Sequence, residues 1–275
     1  MTVDGTLGRW GTSAVFAEAK RLEVAHYDGL WASEAAHDPF LPPLLTAEHS
    51  TRREVGTAIA VAFARTQLAY TADDLQAHRG GRPVLGLGGQ VRPRIEQRLP
   101  TPWNRPTARM REYVAALRAI WSARNNSTKP DFRGDFCAHT LMAPSFSPPP
   151  VSSGPPGILV AAVGEAMTTV AGEVANGLMP RAFTTEQYSR KAGLPTVGHG
   201  LAKSARSRSD FRVSQPLLTA TGRTEEDLAH ATDLTQRQIA LCGSTPARRH
   251  VLERHGWGEL GDELDALTKS FRGDA

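Results

Sequence analysis

The sequence predicts an α/β chain built on a parallel sheet, and three observations carry that expectation. Strand and helix patterns alternate from one end to the other. Ile158-Leu159-Val160-Ala161-Ala162-Val163 is an unbroken apolar run of the kind buried on both faces of a parallel sheet. Between Arg105 and Ser122, Met110, Val114, Leu117, Ile120 and Trp121 recur at helical spacing and give one apolar stripe. Such alternation builds right-handed βαβ units, closed into a barrel or left open.

The elements follow in order. An initial strand over residues 2–7 precedes an amphipathic helix from Phe16 to Ala25, and Asp28 to Ser33 suits a buried strand. Arg53 to Val61 reads as a strand, Leu68 to His78 as a helix, and Pro83 to Leu87 as a strand ending in Gly88-Gly89. The helix over Arg105 to Ser122 is the longest. Residues 124–156, with Pro148-Pro149-Pro150 and Pro155-Pro156, form an inserted loop or hairpin within a single domain spanning 1–275. After the strand at Ile158 come a helix from Glu165, a short strand around Gly177-Leu178-Met179 and a helix within 184–205. A strand from Phe211 to Thr219 and a helix opened by Thr224-Glu225-Glu226-Asp227 complete the pattern. The count is about seven strands, one fewer than an eight-unit barrel requires.

Composition bounds the function. With 40% apolar and 22% charged residues and a net charge of +4 over 275 positions, the chain is neither disordered nor a nucleic-acid-binding tail. No apolar run approaches the roughly 18 residues of a membrane span, and Asp4 and Arg9 interrupt any secretory h-region, so a cytoplasmic address and no membrane partner are expected. Cys137 and Cys242 lack zinc or disulfide spacing and read as packing residues. Glu34 and His37 have ExxH spacing without a second such pair, so no metal is expected.

Two glycine-bearing turns invite ligands. Gly86-Leu87-Gly88-Gly89-Gln90 ends a strand where backbone is open to close approach, although Val91 replaces the third glycine of a dinucleotide fingerprint and Pro93 is expected to break the helix after it. Ala161-Ala162-Val163-Gly164-Glu165-Ala166 passes from strand to helix, so first-turn amides could face an anion. Each is equally readable as a plain turn. His37 and Asp38 stand just past a strand end, where barrel enzymes keep catalytic residues and where solvated loop histidines also sit. Arg92, Arg94, Arg98, Arg105, Arg109 and Arg111 form a basic stretch with only Trp103 interleaved, which suits a solvated face or an anionic cofactor better than nucleic acid.

Tyr27-Asp28-Gly29-Leu30-Trp31-Ala32-Ser33-Glu34, Ala36 to Pro42, Gly56 to Arg65, Gly80 to Gly88, Arg109 to Val114, Ala161 to Gly164, Ala171 to Ala175, Gly243 to Ala247 and His255-Gly256-Trp257 together resemble the luciferase-like monooxygenase superfamily. The nearer likeness is to its branch of coenzyme F420-dependent oxidoreductases. The resemblance implies a TIM-like (β/α) barrel that holds a deazaflavin at its carboxyl strand ends and exchanges a hydride with a small organic substrate. It implies that Glu34, a catalytic candidate together with the strand-end His37, stands near the ring, and that Ala58, Ile59, Gly88, Gly89, Ala161, Ala162, Val163 and Gly164 contact the cofactor. Relatives carry a non-prolyl cis peptide at the position of Ala58-Ile59 and a phosphate cradle at Ala161 to Gly164. The acid/base His and Glu of the sugar-phosphate dehydrogenases in the family fall here on Ala35 and Val91.

Relatives continue past Leu264-Asp265-Ala266-Leu267 into a last strand and helix. The expectation is therefore a barrel lacking its last β/α unit, with residues 245–271 as a helical insertion before it and a homo-oligomer covering the open edge. FMN in place of F420, and a catalytically inactive barrel, are the alternatives.

Overall fold

The structure, a computed structural model, describes residues 1–7, 12–50, 54–62, 65–99 and 102–273. Arg53 of the expected strand and Phe63-Ala64 of the family motif lie outside the described residues. The elements run β1 (Asp4–Thr6), α1 (Thr12–Val24), β2 (Gly29–Ala32), α2 (Leu41–His49), β3 (Glu54–Thr57), β4 (Ala60–Val61), α3 (Arg65–Arg79) and β5 (Pro83–Gly88). They continue through α4 (Arg92–Arg98), α5 (Pro106–Asn125), β6 (Phe132–Arg133), β7 (Ala138–His139), β8 (Gly157–Ala161), α6 (Glu165–Val174) and β9 (Gly177–Met179). The last are α7 (Glu186–Tyr188), α8 (Leu194–Lys203), β10 (Arg212–Val213), α9 (Glu225–Gly243), α10 (Arg249–Glu253) and α11 (Gly258–Gly273). Among the described residues no helix is long and apolar enough to cross a membrane.

The chain divides into two compact units, Met1–Ala161 with Glu173–Gly177, and Ala162–Gly172 with Leu178–Ala275. In the first, β1, β2, β3, β5 and β8 pair in that order and all in parallel, with Leu30 opposite Val55 and Leu85 opposite Ile158. All four residues of β2 are buried, as a strand covered on both faces must be. Leu30, Val55, Leu87 and Ile158 fill the core with Tyr113, Leu117 and Trp121 of α5. Within 124–156, β6 and β7 pair antiparallel, Phe132 opposite His139.

Where α3 packs on α5, Arg124 Nη1 lies 3.0 Å from Asp73 Oδ2 with both side chains 2% exposed. Tyr70 stacks under that guanidinium at 4.8 Å. Burial pushes the Asp73 carboxyl above its ordinary value, against the opposing pull of Arg124.

In the second unit α6 and α8 cross at glycines. A Cβ on Gly172 would stand 2.6 Å from the Val197 carbonyl, so only glycine lets these backbones meet. Between α7 and α8, Ser189–Gly193 is a π-helical turn in which the Leu194 amide reaches back to the Ser189 carbonyl. Pro195 explains it: proline has no N–H for the Lys191 carbonyl, and its ring would collide with that carbonyl in α geometry. The Lys191 carbonyl instead accepts from Arg254 Nη2 at 3.3 Å.

Three sequence expectations need correction. The strand over Arg53–Val61 is two short strands, because Ala58 and Ile59 step out of the ladder. Pro93 opens α4 rather than breaking it, since the first-turn amides of a helix have no intrahelical partner to lose. Of Phe211–Thr219 only Arg212–Val213 is strand; Pro216 cannot donate, and the Gln215 side chain instead donates to the carbonyls of Arg181, Thr184 and Pro216 at 3.2, 3.4 and 2.9 Å.

Candidate active site

In the first unit the carboxyl ends of β2, β4 and β5 converge on one constellation. Ala58 donates its amide to the Ala32 carbonyl at 2.6 Å, and the peptide bond that follows, Ala58-Ile59, is cis. The Ile59 carbonyl accepts from the Glu34 amide at 3.1 Å. The Glu34 carboxylate closes the loop: its Oε2 accepts from the Val61 amide at 2.7 Å, while Oε1 lies 3.6 Å from Arg98 Nη2. Glu34 thus clasps the 58–61 turn to the end of β2.

Beside that clasp β5 ends at Gly88, opposite Val61 in register. The Ile59 side chain occupies the place where a Cβ on Gly88 would stand, and the Ala161 methyl would be 3.6 Å from it. Ile59, the bare backbone of Gly88 and Ala161 thereby form an apolar platform at the strand ends. Gly89 follows, with Trp103 and Met110 at 3.8 and 4.0 Å from its missing Cβ. Next to the platform lies an open cleft of about 680 Å³, lined by Glu34, His37, Asp38, Val61, Leu68 and Arg98 among others. Asp38 Oδ1 is taken by the Phe40 and Leu41 amides at 2.7 and 3.1 Å. His37 is exposed and makes no hydrogen bond among the described residues.

In the second unit the turn Ala162-Val163-Gly164 leads into α6. Ala162 donates to the Met179 carbonyl at 3.2 Å, and the Gly164 carbonyl accepts from the Thr168 amide at 3.0 Å. The Val163 carbonyl accepts from the Tyr188 hydroxyl at 3.1 Å. A Cβ on Gly164 would meet nothing within 4 Å, so this turn faces open space. Glu165 supplies the first turn of α6 with a carboxylate, favourable to the helix dipole and in competition with any other anion there.

The structure thus brings Glu34, His37, Ala58, Ile59, Gly88, Gly89 and Ala161 together on the first unit's strand ends, and places Ala162, Val163 and Gly164 on one turn of the second. Glu34 has a holding role that the sequence reading did not give it. Arg98, the Val61 amide and Tyr188 were not singled out. Arg98 stood in the basic stretch with nothing to mark it from its neighbours, and Tyr188 meets Val163 across 25 positions that no periodicity links.

Residues 8–272 match the luciferase-like monooxygenase family, and the chain belongs to that family. The uncharacterised protein Rv1360 of Mycobacterium tuberculosis is 48% identical over 271 residues, which are 98% of this chain and 79% of that protein. Rv3520c of the same organism, provisionally named a coenzyme F420-dependent oxidoreductase, is 29% identical over 297 residues, 98% of this chain and 81% of its own. Among solved structures, the coenzyme F420 dependent tetrahydromethanopterin reductase from Methanopyrus kandleri superposes with a TM-score of 0.72 at 19% identity, covering 93% of this chain and 75% of that one. At that identity the likeness shows the fold: the α/β architecture is of the TIM-like barrel type of this family.

Proposed function

We propose that the chain is an F420-dependent oxidoreductase that passes a hydride between the deazaflavin and a small organic substrate. The observation that carries this reading is the platform at the end of β5. Ile59 lies on the bare backbone of Gly88, and the Glu34 carboxylate fixes it through the Val61 amide at 2.7 Å. An apolar side chain packed down on glycine backbone suits one side of a fused-ring cofactor, and a side chain at position 88 would displace Ile59. The names of Rv3520c and of the Methanopyrus kandleri enzyme support F420 as the ring in question.

When bound, the deazaflavin supplies the two-electron chemistry, and the protein supplies position and field. Ala58, Ile59, Gly88 and Gly89 would support the ring, with Glu34 holding Ile59 and Val61 in place. His37, free in the cleft, carries a proton at a ring nitrogen to or from substrate. In the second unit, the Val163 and Gly164 amides would be left for a phosphate, that of Ala162 being taken by the Met179 carbonyl.

The deciding experiment is a spectroscopic titration of the purified chain with oxidised F420, reduced F420 and FMN. Saturable binding of F420 with little or none of FMN is expected. Preferential binding of FMN would redirect the reading to a flavin-dependent monooxygenase. Binding of neither would sink it and leave a catalytically inactive homologue.

A further inference from the structure

We infer that Gln90 is a substrate-recognition residue whose side-chain amide selects an uncharged substrate, by hydrogen bonding to the oxygen of a ketone or of the corresponding alcohol. The inference rests on the cofactor reading above and deepens it by naming a substrate class.

The backbone singles Gln90 out. Among the described residues five that are not glycine hold a positive φ: His26, Gln90, Arg105, Ser127 and Ala205. A left-handed backbone crowds the Cβ, a cost that glycine avoids. At His26, Ser127 and Ala205 it is how a helix ends. The amide after each reaches back five residues, Tyr27 to the Leu22 carbonyl, Thr128 to that of Ala123 and Arg206 to that of Leu201, at 3.2, 2.9 and 2.9 Å. Arg105 is the N-cap of α5. Gln90, with a φ of 55°, stands instead between the end of β5 and Val91, the N-cap of α4, and no such bond accounts for it. Directly after two glycines the chain keeps a side chain where a third glycine would sit without strain.

That place is the strand end on which the platform lies. At most about 7 Å of chain separates Gln90 from Gly88, and ligands of parallel α/β folds gather at the carboxyl ends of the strands. Gln90 is half-buried, and its side-chain amide makes no hydrogen bond among the described residues. Trp103 lies against the neighbouring Gly89 and walls the strand end with an apolar ring.

The charges nearby are already committed. Arg92 Nε donates to Glu96 Oε2 at 2.9 Å, and Glu96 Oε1 accepts from the Trp103 amide at 3.4 Å. Arg98, the one arginine or lysine lining the cleft among the described residues, faces Glu34. An anionic substrate would find no uncommitted guanidinium there. A primary amide, by contrast, can donate to a carbonyl oxygen and accept from a hydroxyl, so it serves both ends of a ketone–alcohol couple. In the reducing direction a hydride bonds to the carbonyl carbon, the π pair moves to oxygen, and His37 adds the proton there. The reduced deazaflavin supplies the hydride and, through solvent, the proton that restores His37. Gln90 donates to the oxygen while it gains charge.

The test compares the wild type with Gln90→Gly, which relieves the backbone, and Gln90→Leu, which keeps the bulk and removes the amide. Urea unfolding of the cofactor-free chain should find Gln90→Gly at least as stable as the wild type, its unfolding equilibrium shifted by up to about fivefold, because lost strain is partly offset by the freedom of glycine when unfolded. F420 affinity should stay within about twofold in both variants. The wild type loaded with oxidised F420 should bind cyclohexanol, followed by the ring absorbance, and with reduced F420 should reduce cyclohexanone. Both variants should lose cyclohexanol affinity, and raise KM for cyclohexanone, by roughly five- to tenfold, as loss of one hydrogen bond implies. Cyclohexanecarboxylate should bind the loaded wild type more weakly than cyclohexanol. A Gln90→Gly chain less stable than the wild type would remove the strain argument and count against the inference. Unchanged cyclohexanol affinity and KM in the variants would overturn it, and so would a larger loss of F420 affinity, which would put the amide on the ring instead. A wild type that binds F420 but neither cyclohexanol nor cyclohexanone, or that prefers the carboxylate, would overturn the substrate class and leave the cofactor reading standing. Failure of the wild type to bind F420 would overturn both.

Discussion

At the residue scale Glu34 shows how one carboxylate can be spent on architecture at the edge of the candidate cleft. One oxygen accepts from the Val61 amide and the other faces Arg98, so it is poorly placed to exchange protons with a substrate. A charge-assisted hydrogen bond of this kind contributes about 1.5–3 kcal/mol, and Glu34→Ala should lose stability of that order in urea unfolding. The same variant should weaken F420, because the platform under the ring loses its clasp. Stability lost without any change in affinity would make the clasp irrelevant to the cofactor. His37→Ala, by contrast, removes no hydrogen bond among the described residues. It should keep F420 affinity within about twofold and slow hydride transfer roughly a hundredfold with any substrate that the wild type accepts, which stopped-flow oxidation of reduced F420 would measure. Glu165→Gln removes the carboxylate that competes with a phosphate at the start of α6, so phosphate-bearing ligands should bind more tightly. The gain should fade as salt is added.

At the element scale the buried pair between α3 and α5 sets a different balance. Removing one partner leaves a charge in the core, so Asp73→Leu or Arg124→Met alone should cost about 3–5 kcal/mol, whereas the two changes together should cost much less. Denaturant unfolding of the three variants separates these outcomes, and an additive double mutant would show that the groups do not interact. The pH dependence has a definite sign. Asp73 has its folded value raised above 3.8, so its contribution is fully present below that value and is lost as pH rises through the folded one. With Arg124→Met the opposing attraction is gone. The variant should lose stability more steeply than wild type as pH rises through the acid range, and parallel profiles would refute the coupling.

The elements also show what sequence reasoning can reach. The apolar run at Ile158 declares β8 because burial on both faces leaves no alternation to decode, and the α5 stripe is a helix at any register. Three acids after Thr224 announce α9, and the capping box is formed as that pattern implies. By contrast, α2 hides behind Pro42 and Pro43, which sit harmlessly in its first turn because those amides would have had no partner. The 58–61 turn looks like strand because its residues are apolar. The bonds that break the ladder there come from Ala32 and Glu34, on another strand and its loop.

At the scale of the whole molecule the candidate site was legible in part. Ile59, Gly88 and Gly164 could be named from the family resemblance because each sits inside a local motif. The relations among them could not be read, since Glu34 with Val61 and Tyr188 with Val163 are set by topology rather than spacing. Those relations yield a prediction for the intact chain. A ligand that binds only the folded state stabilises it by about 2.7 kcal/mol at a hundred times its Kd, which for a chain of this size raises Tm by roughly 5–10 °C. F420 should produce that shift, and FMN at equal concentration should produce little. Comparison with the phosphate-free deazaflavin divides the effect. If the phosphate contributes, that ligand should shift Tm by less than F420 at matched concentration in the wild type. In Glu34→Ala both ligands should lose part of their shift, because the platform serves the ring they share. A Tm scan in which Glu34→Ala keeps the full shift with both ligands would show that the platform does not serve the ring.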